Sequence, residues 1–228
     1  MRKLAVVMAM GAACLLAGLA GCEELTGEKK PTQQPIEYTL LSPYKQLKTL
    51  AVTPAVNQSG TRDFNSYSVS DALFEELQQV GGLNVLPLNK TLAAMQRLGI
   101  TTIDSVAMAQ KVAETLNADG LIIPAITAYD PYNPPKVGMV LQLYTPRHQE
   151  GGAVISEKQP VSQVAGVFNA SNQSVLRELR DFAQGRTQQD SALQDEKWLM
   201  DADAYTRFVC HAMVRRLMDV ERARAAGR

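Results

Sequence analysis

Apolar and polar residues alternate with different periods along this chain, and the periods divide it into strands and helices. Regular structure opens at Leu47, with Lys48 to Pro54 reading as a short strand and Asn57-Gln58-Ser59-Gly60 as a loop. From Ser68 to Val80 the residues Val69, Ala72, Leu73, Leu77 and Val80 share one helical face. Ser68 and Asp71 are spaced as a capping box, and Gly81-Gly82 is the stop. Leu83 to Leu88 is a second strand. Asn89 then caps a short helix through Leu92, Met95 and Leu98, and Asp104 opens another through Val106, Ala109, Ala113 and Leu116.

Gly120 to Ile126 is almost wholly apolar, as in a strand covered on both faces. Pro124 inside it predicts an edge, a bulge or an early strand end, because proline has no N–H for a ladder. After the turn Tyr129–Pro135, the run Val137 to Tyr144 alternates with a period of two, and residues 159–168 hold one more strand. Asn172 to Gln184 predicts a helix on Val175, Leu176, Leu179 and Phe182, and 185–195 a polar loop. In the last helix, Asp201 to Ala225, Ala202, Val209, Met213 and Val220 fall on one line flanked by Tyr205, Cys210, Ala212 and Leu217. The order predicts an α/β fold: a two-layer sandwich with a mixed β-sheet packed by helices, plus C-terminal helices.

The first residues follow another rule. Met1-Arg2-Lys3 precedes an apolar run to Leu19, a basic start and apolar stretch that describe a secretory signal. The signal ends in Leu19-Ala20-Gly21-Cys22, which resembles the bacterial lipobox. There the cysteine thiol is acylated with palmitate-type chains and the chain is cut before it. An uncleaved anchor helix is the alternative, since about twenty apolar residues span a bilayer. Residues 1–21 are therefore expected to be a signal peptide, 22–43 a tether and 44–228 a single domain. The domain divides into a core over 47–168 and helices over 170–225. About twenty tether residues have a flexible span near 25 Å and a limit near 65 Å.

Composition narrows the partners. Without Arg2 and Lys3 the chain has 21 basic and 23 acidic residues, a net of −2 that gives no bulk attraction to nucleic acid. Of Cys14, Cys22 and Cys210, the first leaves with the signal and the second carries lipid. Cys210 is then left as a buried apolar side chain or, less simply, an intermolecular disulfide.

The run Leu50-Ala51-Val52-Thr53-Pro54-Ala55-Val56-Asn57-Gln58-Ser59-Gly60 resembles the opening strand and Asn-x-Ser-Gly turn of the CsgG-like lipoprotein superfamily. Asp71-Ala72-Leu73-x-x-Glu76-Leu77, Leu83-Asn84-Val85-Leu86 and Leu116-Asn117-Ala118-Asp119-Gly120-Leu121-Ile122 are similar to its next landmarks, in order. The superfamily includes the curli secretion channel CsgG and, by fold, the penicillin-binding-protein activator LpoB and the TolB amino-terminal domain. Over residues 47–145 the resemblance implies a periplasmic α/β domain on a lipid tether that binds cell-envelope proteins without catalysis. The alternative is a subunit of an oligomeric secretion or channel complex, with homo-oligomerisation open. A membrane-spanning barrel strand needs about nine to eleven alternating residues, and only Val137–Tyr144 alternates well, where the superfamily has a core strand. Glu23 after the cysteine tips the expected location towards the outer membrane, periplasmic side.

Candidate chemistry is sparse. His148 and His211, the only histidines, belong to no metal-ligand spacing, and no nucleophile elbow, Walker loop or dinucleotide glycine pattern occurs. Neither metal nor cofactor is expected, and an enzyme ranks behind both binding readings. Asp201 and Asp203 sit where helix starts favour acids. Arg207, His211, Arg215 and Arg222 cluster opposite the apolar line of the last helix, either as its solvated side or as a basic face for anionic headgroups or an acidic partner. Tyr129, Tyr132, Pro134 and Pro135 make the turn either a stiffened hairpin or a partner contact.

Overall fold

The computed structural model describes residues 48–62, 64–145, 160–186 and 194–226. Cys22 with Leu19, Ala20 and Gly21, the tether over 22–43, and His148 lie outside the described residues. Among the described residues, β1 (Thr49–Val52), β2 (Val56–Asn57), β3 (Asn84–Leu86), β4 (Gly120–Asp130), β5 (Lys136–Tyr144) and β6 (Ser162–Asn169) form one sheet. Its order is β3-β1-β4-β5-β6, with β2 continuing beside β4. β1 runs parallel to β3 and β4, β2 parallel to β4, while β5 is antiparallel to both β4 and β6. The expected mixed sheet packed by helices, with helices at the C-terminal end, is what the chain forms.

The helices are α1 (Ser66–Gln78), α2 (Leu88–Arg97), α3 (Val106–Thr115), α4 (Gln173–Gln184), α5 (Gln194–Met200) and α6 (Ala202–Ala226). Alternation along β4 feeds two cores. Ile122 and Ile126 join Leu73, Leu141, Phe168 and Phe208 under α1, α4 and α6. Leu121 and Ile123 turn the other way, against Met95, Ala109 and Val112 of α2 and α3. The apolar run from Gly120 thus forms the expected strand covered on both faces.

Pro124 is neither at an edge nor at a strand end. Ile122 and Ile126 accept from Thr53 N–H (3.0 Å) and Gln58 N–H (2.8 Å), so by alternation Pro124 aims its ring nitrogen at the same neighbours. There the chain steps from β1 to β2 through Thr53-Pro54-Ala55 and offers no regular ladder. A missing N–H costs nothing at such a position. α1 satisfies the step instead: Ala55 N–H donates to Ser70 Oγ at 2.8 Å, and Ser66 Oγ donates to the Ala55 carbonyl. The irregularity in β4 falls later, between Ile126 and Ala128.

Three helix starts differ from those expected. Asn65 caps α1 by accepting from Tyr67 and Ser68 N–H, in place of the Ser68/Asp71 box. Ser105, one residue after Asp104, caps α3. α2 starts at Leu88 after Pro87 and has no side-chain cap, so Asn89 lies inside its first turn. Asn172 and Asp201 cap α4 and α6 as their positions suggested. α5 has no counterpart among the expected elements, and residues 194–195, expected in a loop, are helical.

Candidate partner-binding surface

The sheet has two distinct ends. β1, β4 and β6 point the same way, so the described chain enters at one end and the β4–β5 hairpin turns at the other. At the entry, the Asp119 carboxylate accepts from Lys48 and Thr49 N–H at 2.9 and 2.8 Å. β4, eleven residues long, separates this clamp from the hairpin by roughly 33 Å.

The four candidate residues of the hairpin divide between core and surface. Tyr129 belongs to β4, not to the turn, and packs edge-on against Phe64 with ring centroids 5.7 Å apart. Pro135 is buried, and its carbonyl accepts from Ala170 N–H at 2.9 Å. Tyr132 is 74% exposed and Pro134 is exposed beside it. Tyr132 N–H donates to Asp130 Oδ1 at 3.2 Å, which fixes the backbone while the ring stays in solvent. Tyr67, on the first turn of α1, is a further exposed tyrosine at this end. The Asn57–Gly60 turn lies there too. Asn57 Oδ1 accepts from Ser59 N–H and Oγ, its Nδ2 donates to the Thr61 carbonyl, and Gly60 takes φ +77°. An amide, a hydroxyl and a glycine are what this turn requires.

The four basic candidates of α6 do not share one open face. Arg207 Nη2 pairs with Glu75 Oε2 at 2.6 Å, and Arg222 with Asp219 at 2.7 Å, while Arg215 is half-buried. His211 turns inward, where Nδ1 lies 3.0 Å from Glu76 Oε2 and the ring sits 4.9 Å from that of Phe182. The physical reason is that α6 packs against α1 as well as against β5 and β6, and Glu75 and Glu76 of α1 meet Arg207 and His211. Val220, placed on the apolar line, is 42% exposed, and Glu221 beside it is buried against Ser162 and Arg224.

The sequence marks Glu76 only as part of the Asp71–Leu77 resemblance, with no role of its own, and gives no sign of Arg186. Glu76 is buried on α1, and its Oε2 also takes the Arg186 guanidinium, which stacks 4.5 Å from the Phe182 ring centre. The available signal was its spacing, seven residues after Val69 on the apolar face of α1. Cys210 is fully buried, with burial first and the Glu76 charge second pushing its thiol pKa up. That placement excludes the intermolecular disulfide.

A cleft of about 450 Å³ opens between α1 and α5–α6, lined by Asp71, Glu75, Trp198, Asp201 and Arg207 among others. Three of its charged groups have structural work: Asp201 caps α6 and Glu75 holds Arg207. Among the described residues no cluster of three or more His, Cys, Asp or Glu side chains could hold a metal, and no helix is long and apolar enough to cross a membrane.

A mixed α/β domain with an exposed tyrosine–proline hairpin opposite its point of entry is the class these features define. No protein-family model and no curated protein matches the chain. Among solved structures it is similar to the LpoB C-terminal domain from Salmonella enterica, at 13% identity, 55% of this chain, 85% of that one and TM-score 0.42. Lipoprotein GNA1162 from Neisseria meningitidis is similar at 15% identity, 60% and 94% coverage and TM-score 0.40. A PelC dodecamer from Paraburkholderia phytofirmans gives 14% identity, 75% and 93% coverage and TM-score 0.32. At these distances the likenesses bear no functional weight.

Proposed function

We propose that the chain is a lipid-anchored, non-catalytic module of the CsgG-like type that binds and helps assemble cell-envelope proteins from the periplasmic side of a membrane, the outer one by preference. One observation carries the binding role: the hairpin bearing exposed Tyr132 and Pro134 stands at the end of the sheet opposite the entry at Lys48. A tether fixed at one end leaves the other end free to meet a partner. The proline-restricted turn has little ordering entropy left to lose on binding, and tyrosine is a common interface anchor. The Leu-Ala-Gly-Cys ending of the signal supports the anchor, and the Asn57–Gly60 turn supports the superfamily reading.

Two measurements test this reading. Mass spectrometry of the mature protein should find an acylated N-terminus at Cys22, and Cys22→Ala should abolish both cleavage and membrane retention. Two or more chains at about 0.8 kcal/mol per buried methylene hold a protein stably. An uncleaved or unmodified wild-type chain would sink the anchor. For the hairpin, a photo-cross-linker at position 132 should capture a defined envelope protein in intact cells, while one at position 48 should not. Tyr132→Ala should then weaken that complex by about 5–30-fold, an ordinary hot-spot loss, with an unchanged melting temperature. Loss of stability in step with binding would return the hairpin to a structural role.

A further inference from the structure

β6 ends the sheet order, and no described strand pairs with its outer side. Its eight residues, Ser162-Gln163-Val164-Ala165-Gly166-Val167-Phe168-Asn169, contain no charge and no proline. Its register with β5 is unbroken from Lys136↔Asn169 to Leu143↔Ser162, so no bulge turns the edge aside. Alternate residues of such a strand aim their N–H and C=O groups outward. Natural edges of this length are usually blunted by lysine, proline or a bulge, because they template pairing with another chain. β6 has none of these devices.

The two faces beside this edge differ. On one, Gln163, Ala165 and Val167 are exposed, Val167 at 60%, and the nearest β5 side chains, Val140 and Gln142, are also uncharged. On the other, α6 lies over the strand. A Cβ added at Gly166 would meet Arg216 Nη1 at 2.5 Å and Met213 Sδ at 3.1 Å. The Arg216 guanidinium stacks 4.5 Å from the Phe168 ring centre and pairs with Glu178 at 3.6 Å.

We infer that the outer edge of β6 receives an extended, uncharged segment of a partner protein as a seventh strand. A second copy of this chain fits poorly. Paired strands lie about 4.8 Å apart, and α6 lies over β5 and β6, so β6 against β6 would crowd the two copies of α6 to about the 8–10 Å limit of packed helices. A bare extended segment has no helix to collide. Charge selects in the same direction. Arg216 and Glu178 neutralise each other, and on the opposite face the one β5 charge is Lys136, across from Asn169 at the end of the strand, with none directly across from Gln163, Ala165 or Val167. Small or β-branched uncharged residues at alternate positions, lying beside Ala165 and Val167, complete the match. This inference rests on β6 alone and stands whether or not the hairpin binds.

The probe is a capped seven-residue peptide alternating threonine and valine, added to the full-length protein in lipid nanodiscs. Hydrogen exchange by mass spectrometry should show β6 amides slowing as the peptide is added. Val167→Lys should weaken binding about tenfold or more without moving the melting temperature, since Val167 is exposed. A peptide with lysine in place of valine should fail on the wild type, a control that needs no variant to fold. Three results would overturn the inference: no added protection at β6, β6 amides already fully protected without peptide, or a dimer that Val167→Lys dissociates. The last would make a second copy the occupant.

Discussion

Leu217→Asp should cost the domain about 4 kcal/mol or more, a large part of the roughly 5–15 kcal/mol that holds a domain together. Leu217 has no exposed surface and sits on α6 in the main core. Aspartate there loses the apolar burial and places a carboxylate among the apolar side chains of the main core. Arg215→Ala, two residues earlier and half-buried, should cost under about 1 kcal/mol. Urea denaturation of both variants checks this contrast. Equal midpoints would mean that α6 does not pack as described.

Leu217 was legible because it follows Cys210 and Met213 by seven and four residues, on the helical period of α6. The same period misplaced Val220, since a repeat of 3.6 cannot know where the covering sheet ends. Near the start of β6 the buried position of α6 goes to Glu221, held by Ser162 and Arg224, and Val220 faces out. The start of α1 was missed for a related reason. Asn65, Ser66, Ser68 and Ser70 are all plausible caps, and the choice fell to tertiary contacts that engage Ser66 and Ser70 at Ala55. α5 is seven residues with no apolar period, held through Trp198, whose ring lies 5.0 Å from Phe182. At the hairpin, composition marked the right segment but could not say which aromatic was exposed. The bulge after Ile126 keeps Tyr129 in the strand against Phe64 and leaves Tyr132 outside. The pairing of Glu76 with His211 spans 135 residues of sequence, and no local pattern reports it.

That pairing yields the second large effect. Glu76→Ala should destabilise the domain by about 3 kcal/mol, the lower end of the 3–5 kcal/mol typical when one partner of a buried ion pair is removed. Glu76, on α1, is 2% exposed, and groups from two other places converge on its carboxylate: Arg186 just past α4 and His211 from α6. Removing it strands the guanidinium beside Phe182, with Gln79 Oε1 at 2.9 Å as its remaining polar partner. Arg186 is partly open to solvent, with 23% of its side chain exposed, so some hydration returns and the cost stays below the upper limit. Oε1 of Glu76 has no hydrogen-bond partner among the described residues, so the carboxylate already bears an unmet desolvation cost. The charge is therefore replaceable as a pair: Glu76→Leu with Arg186→Met should recover most of the stability that Glu76→Ala loses. Urea midpoints of the single and double variants decide the point. A Glu76→Ala loss under about 1 kcal/mol would mean that the cluster contributes no more than a surface ion pair.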